Sequence, residues 1–219
     1  MSYTIAEGTR FFFAALSTFG AAKTVSAITN QNPAVASAAA HGFSTNDELL
    51  FTSGWEDASN TIWRGTTIDA GSLSLQGLDA TGTNQFPAGS GAGTLQKVGT
   101  WIEIPQVLNV QGSGGNIKTI NVEPLNKRNA IVIPTGFDAM KLDLTLGHDP
   151  NLAAYQQMIA IGRSGMNSQV GFKLILGGGG VGYGFGYLSA SEMPNITKGQ
   201  VNQVTASISL LGRFITYAS

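Results

Sequence analysis

Apolar and polar residues alternate with a period of two along much of the second half of the chain. Met140, Leu142, Leu144 and Leu146 alternate with Lys141, Asp143 and Thr145, and Val204, Ala206, Ile208 and Leu210 alternate with Gln203, Thr205, Ser207 and Ser209. This period marks strands with one buried face and one polar face. Ile117 to Glu123, Asn129 to Ile133 and Gln169 to Leu176 predict further strands. In the first half the predicted strands are Thr9 to Ala15, Lys23 to Ile28, Ala34 to Ala39, Glu48 to Thr52, Thr61 to Thr67 and Ser72 to Leu78. Turn signals separate them at Asn32-Pro33, His41-Gly42, Ser53-Gly54 and Ala70-Gly71. Three consecutive phenylalanines, Phe11 to Phe13, suit a strand packed on both faces. The stretch from Pro87 to Gly93 reads as a flexible loop or linker.

One helix stands out, from about Pro150 to Ile161. Asp149 is the expected N-cap, Pro150 the first helical residue and Gly162 the stop. Leu152, Tyr155 and Ile159 fall on one face, so the helix is expected to lay a single stripe on a sheet. The predicted fold is mainly β, a β-sandwich or barrel with one flanking α-helix and an inserted small β module.

Composition narrows the picture. A chain of 219 residues makes one sizeable domain, or one domain carrying a smaller module, and buries a real core without staples. It has no cysteine, which excludes disulfides and thiolate metal sites. The net charge of −1 offers no basic field for gripping nucleic acid. Charged residues make up only 11% of the chain, against a usual share of about 25%. So quiet a surface suits a subunit buried in an assembly, and suits a plain soluble β domain equally well. The longest apolar run, Phe11 to Leu16, is far short of the ~20 residues of a helical membrane span and too short for a signal peptide.

The motifs that suggest chemistry do not hold together. Gly177 to Gly182 matches a dinucleotide fingerprint, which requires a helix to open after the glycines. The alternating Tyr183-Gly184-Phe185-Gly186-Tyr187 that follows predicts a glycine-rich hairpin instead. His41 and His148 are far apart and neither sits in a cluster at metal-ligand spacing. The same tyrosines and phenylalanine form no nucleic-acid stacking ladder, because no basic residues interleave with them. No catalytic residue, metal ligand or cofactor site is expected.

Two stretches resemble known phage proteins. The run Asn32-Pro33-Ala34-Val35, then Ala40-His41-Gly42-Phe43 and Asn46-Asp47, followed by Gly54-Trp55, is similar to a small β module of phage tail and baseplate proteins. The segments Ile120 to Leu125, Ile133-Pro134-Thr135-Gly136-Phe137-Asp138, Met140 to Leu146, Asp149-Pro150 and the closing strand Val201 to Tyr217 together resemble the siphophage tail tube (major tail) protein family. Thr135 departs from that family's tighter turn between Pro134 and Gly136. On this resemblance, residues 1–28 and 99–219 are expected to form the tail-tube core and residues 29–98 the inserted module.

The resemblance implies a structural virion protein of the phage tail, assembled in the host cytoplasm. Its subunits would form stacked hexameric rings around a channel. The implied partners are other copies of itself, the tape measure protein, the tail terminator and baseplate or distal tail proteins, with transient passage of double-stranded DNA and no membrane insertion. No enzymatic activity is implied. The alternatives are another tail, baseplate or tail-completion protein, or a glycan-active β enzyme, for which no carboxylate pair can be nominated.

A DNA conduit must not grip phosphates, so its lining should be polar and weakly charged. Three rows fit: Lys141, Asp143 and Thr145; Gln203, Thr205, Ser207 and Ser209; and Thr119, Asn121 and Glu123. Together they carry about one negative charge per subunit, within the ~8 Å reach of screening. The same rows also read as the solvated faces of any β protein.

Overall fold

The computed structural model describes residues 7–126 and 128–218. The protein is mainly β, as the alternation predicts, and its strands fall into two closed or nearly closed sheets and one projecting hairpin. Strand β1 (Arg10–Ala15) opens the chain order. The first sheet follows, with β2 (Lys23–Val25), β3 (Ala27–Ile28), β4 (Val35–Ser37), β5 (Glu48–Ser53), β6 (Thr61–Asp69), β7 (Ser72–Leu75) and β8 (Gly93–Lys97). Its order is β2-β8-β5-β6-β7-β4-β3. The strand expected over Lys23 to Ile28 is split at Ser26, whose N–H donates to the Ser37 carbonyl, so one path pairs with β8 at its start and with β4 at its end. That split lets the sheet curl round and close on a core of Phe51, Trp55, Trp63, Leu73, Leu75 and Leu95.

The second sheet uses the same device. It contains β9 (Ile102–Ile104), β10 (Val107–Ser113), β13 (Lys141–Gly147), β14 (Gln169–Ile175), β15 (Val181–Ala190), β16 (Gln203–Leu210) and β1. β11 (Ile117–Val122) and β12 (Ile131–Phe137) lie outside it. The order is β10-β13-β16-β15-β14-β1-β9, and only Pro105 and Gln106 separate β9 from β10. Both strands run the same way, so they are two halves of one path kinked at Pro105, and the sheet is a nearly closed barrel. β17 (Ile215–Tyr217) returns to pair with β15. The closing strand expected over Val201 to Tyr217 is therefore broken: the chain leaves the sheet after Leu210 and re-enters at Ile215.

The barrel interior is narrow, which explains the glycines of β15. Phe11 and Phe172 stack inside it, and the exposed Phe214 stacks on Phe172. A Cβ on Gly184 would lie 2.4 Å from the Phe172 ring, and one on Gly182 would lie 2.1 Å from Phe214. The alternate residues Tyr183 and Phe185 point the other way, into a third core shared with Ala14, Leu50, Ile62 and Val98. This core joins the two sheets. It accounts for runs such as Leu49-Leu50-Phe51, buried on both sides: Leu49 and Phe51 face the first sheet's core while Leu50 faces the barrel.

A polar knot sits at the edge of that joint. Glu48 accepts from Tyr183 Oη at 2.5 Å, from Lys173 Nζ at 3.2 Å and from Trp101 Nε1. Arg64 donates to the same Tyr183 hydroxyl and lies 4.8 Å from the centre of the Tyr217 ring. Tyr217 Oη accepts the Arg64 N–H and donates to the Gln76 carbonyl. Burial, then the neighbouring Glu48 carboxylate, push the Tyr183 hydroxyl above the usual tyrosine range, so it stays protonated and donates.

The helix, α1 (Ala153–Gly162), starts later than expected. Asp149 is not its cap: its carboxylate accepts from the Asn151 N–H at 3.0 Å in a local turn, and Pro150 lies outside the helix. Leu152 takes the N-cap position, with no side-chain bond to the helix end. Tyr155 is buried, as expected, and Leu152 and Ile159 pack partly against the barrel core, but the fully covered residue is Met158. Met158→Ala is therefore expected to cost ~2–5 kcal/mol in chemical denaturation. Asp149→Ala, which removes the turn bond and a long 3.4 Å bond from Gln106 Nε2, is expected to cost about 1 kcal/mol. Equal losses would show that the turn anchors the helix after all.

One loop departs from expectation and another meets it. Pro87 to Gly93 is packed, not a free linker: Trp55 Nε1 donates to the Pro87 carbonyl at 2.8 Å, and a Cβ on Gly91 would strike Ile28 and Trp55. Gly177 to Gly180 is the β14–β15 turn, and no helix opens after it.

Candidate functional site

The strands β10, β13, β16 and β15 lie side by side, and their registers assemble a polar face from residues scattered through the chain. Ser113, Lys141, Ser209 and Tyr187 form one cross-strand row. Gln111, Asp143, Ser207 and Ser189 form the next, and Asn109, Thr145 and Thr205 a third. Gln203 stands at the end of the face, opposite Gly147. The intervening residues, Leu142, Leu144, Leu146, Val204, Ala206 and Ile208, are buried in the barrel. The two rows expected from alternation are thus neighbours on one surface, flanked by strands that alternation alone did not add to it.

This face carries two charges that cancel. Lys141 Nζ lies 2.7 Å from Asp143 Oδ1, both side chains about half exposed. Everything else on the three rows is a hydroxyl or an amide. A surface of neutral hydrogen-bonding groups stays wetted and offers a passing polyanion neither strong attraction nor strong repulsion.

The third expected row is elsewhere. Thr119 and Asn121 belong to the hairpin of β11 and β12, an arm rooted at Gly114 and Ala139, and Glu123 follows at the start of its tip. The sum of about one negative charge counted Glu123 with Lys141 and Asp143. Without it the face is neutral. The segment Ile133 to Asp138, expected to be a turn, is mostly strand, and Thr135 is the extra residue of a bulge that shifts the register between Lys118 and Thr119. At the root, Gly114 adopts φ +84°, and a Cβ there would lie 2.1 Å from the Ala139 carbonyl oxygen, so only glycine fits.

The arm is exposed along its whole length, on both faces. Ile120 pairs with Ile133 and Val122 with Ile131, so four β-branched side chains share one face. Their exposures run from 39% to 56%, which for residues of this type is a patch awaiting a cover. At the tip Leu125 is fully exposed. A two-stranded hairpin is marginal by itself in water.

The two histidines sit in separate surroundings. His41 is buried; its Nδ1 accepts from the Phe43 N–H, which leaves Nε2 to donate to the Asp69 carbonyl at 2.9 Å. His148 meets the Tyr155 ring edge-on at 5.5 Å. Among the described residues no group of three or more His, Cys, Asp or Glu is placed to hold a metal, and no helix is long and apolar enough to cross a membrane.

Comparison with curated proteins finds no match. The family profile described as "Phage tail tube protein, TTP" matches residues 53–219, which include the arm, the whole polar face and the helix. The chain belongs to the phage tail tube protein family.

Proposed function

We propose that the protein is the structural subunit of a phage tail tube. It assembles into stacked rings, six subunits to a ring, whose polar β10-β13-β16-β15 face lines a channel for DNA. The observation that carries this reading is the neutral, hydrogen-bonding character of that face, in which the only charges are an internal pair. A tube lined this way lets a duplex slide, because no counterions need be released by contacts to the wall. The closed sheet of residues 23–97 packs on the first half of β15 and on β17 and takes the outside of the tube. The tape measure protein occupies the channel before DNA does, and the tail terminator and baseplate or distal tail proteins meet the tube at its ends. Assembly takes place in the host cytoplasm. The function is mechanical and involves no catalysis and no cofactor.

Electron microscopy of the purified protein tests this directly. Rings or long hollow tubes are the expected result. Monomers at every concentration, with or without an extract of phage tails, would reject the reading, and discrete closed oligomers would favour a baseplate or tail-completion part.

A further inference from the structure

The closed sheet of residues 23–97 and the barrel are joined by two crossings of the chain, residues 16–22 and 98–101. A third link comes from the end of the chain. It leaves β16 after Leu210, lies against the closed sheet and re-enters the barrel as β17. Gly212 lies with its backbone directly on the turn between β5 and β6, where a Cβ would strike the Ser59 and Asn60 carbonyl oxygens. Arg213 follows, its guanidinium 2.6 Å from the Asp57 carboxylate. Phe214 holds the barrel instead, stacked on Phe172 at 5.9 Å and seated over Gly182. Ile215 returns to the core of the closed sheet. Tyr217 Oη takes the Arg64 N–H at 3.0 Å and donates to the Gln76 carbonyl at 2.9 Å, while the β17 backbone pairs with Val181 to Tyr183 of the barrel.

We propose that residues 211–217 are a strap that holds the closed sheet at one angle to the barrel, with Phe214 as the positioning residue that keeps the strap seated. The device lies within one subunit and goes beyond the tube reading. Successive side chains of an extended segment point to opposite sides, so a stretch this short can grip two bodies at once. Tyr217 also packs against the core that the two bodies share, beside Ala14, Leu50, Ile62, Val98, Tyr183 and Phe185. Lifting the strap therefore opens the edge of that core to water. The strap is separable from both folds. β17 has three residues and lies off the main path of the barrel sheet, and none of the seven strands of the closed sheet belongs to the strap. Leu211 and Phe214 are 41% and 36% exposed. A segment of that kind opens at a lower free energy than the strands beneath it. On the outside of a tube, the strap would decide how stiffly the closed sheet stands on the wall.

Amide exchange read by NMR tests the strap, with Arg64 as the reporter. Phe214→Ala removes the seat on the barrel, and Gly212→Val drives the backbone off the Ser59 and Asn60 carbonyls. Each is expected to speed exchange of the Arg64 amide at least about tenfold, because its acceptor leaves with the strap. The amides of Phe51 and Leu95 in the closed sheet, and of Leu144 and Ala206 in the barrel, are expected to keep their wild-type rates. The absence of native cysteine allows a second readout, with dyes attached through Thr24→Cys and Gln157→Cys, one exposed position on each body. Single-molecule energy transfer is expected to give one narrow distance with the native strap and a broad distribution in both variants. Wild-type exchange at Arg64 in either variant would overturn the proposal. So would faster Arg64 exchange with an unchanged dye distance, since the segment would then fray without steering the sheet. Loss of protection at all five amides together would overturn it too, by making the segment part of a single cooperative core. Neither readout requires rings or tubes, so failure here leaves the tube reading untouched.

Discussion

Replacing Asp143 and Ser207 by lysine is expected to leave tubes intact and to make DNA stick in them. The two positions face each other across β13 and β16, in the middle row of the polar face. With Lys141 they would put three lysines on each subunit where the native face is neutral. Repeated round a ring, the added side chains supply on the order of ten phosphate contacts, and binding of that kind weakens by roughly 10³–10⁵-fold between about 50 and 200 mM salt. Ejection from phage carrying the variant should therefore be slow or blocked at low salt and recover as salt rises. Purified variant tubes should bind short duplexes with the same salt dependence. Normal ejection at low salt from correctly assembled tails would show that this face does not line the channel.

The second large effect is expected at the joint between the sheets. Glu48→Ala strands Lys173, whose side chain is only 16% exposed, and removes the acceptor for Tyr183 and Trp101. Leaving one member of a buried pair without its partner costs ~3–5 kcal/mol. For a chain of this size that lowers the melting temperature by about 6–20 °C. The double change Glu48→Met, Lys173→Met should recover part of the loss, since it removes the orphaned charge. An unchanged denaturation midpoint for Glu48→Ala would mean that the apolar core beneath holds the joint unaided.

How far the sequence reveals these surfaces depends on how local their causes are. β13 and β16 were legible because each has one wet and one dry face, and their pairing brings Asp143 opposite Ser207 as alternation suggests. β10 was not, because Pro105 kinks its approach, a bulge near Leu108 breaks its alternation, and Gly112 reads as a turn. Thr119 and Asn121 alternate just as well as the barrel rows do. Nothing in a period of two distinguishes a strand of a barrel from a strand of a free arm, so their separation from the polar face emerges only from the pairing. The helix cap failed for a different reason. Asp149 can satisfy a turn N–H as readily as a helix N–H, and in Asn151 it finds one first. The Glu48, Lys173 and Tyr183 knot had no signal at all, since its members come from strands far apart in the chain and each is an isolated polar residue in sequence.

The place of β1 sets a schedule for making the protein. It is an inner strand of the barrel, held between β9 and β14, and Arg10 pairs with Ile175. Translation at ~5–20 residues per second separates those two partners by roughly eight to thirty seconds. The closed sheet of residues 23–97 can fold during that wait, since its strands are all made within it. Phe11 and Phe13, which end up almost wholly covered, gain β9 as one neighbour once residues 102–104 are made but lack the other until β14 leaves the ribosome. Nascent chains thus pass through a period with an incompletely paired aromatic strand beside a finished neighbour. In a cell making many copies at once, the yield of usable subunit depends on how well that strand is sheltered from other nascent chains.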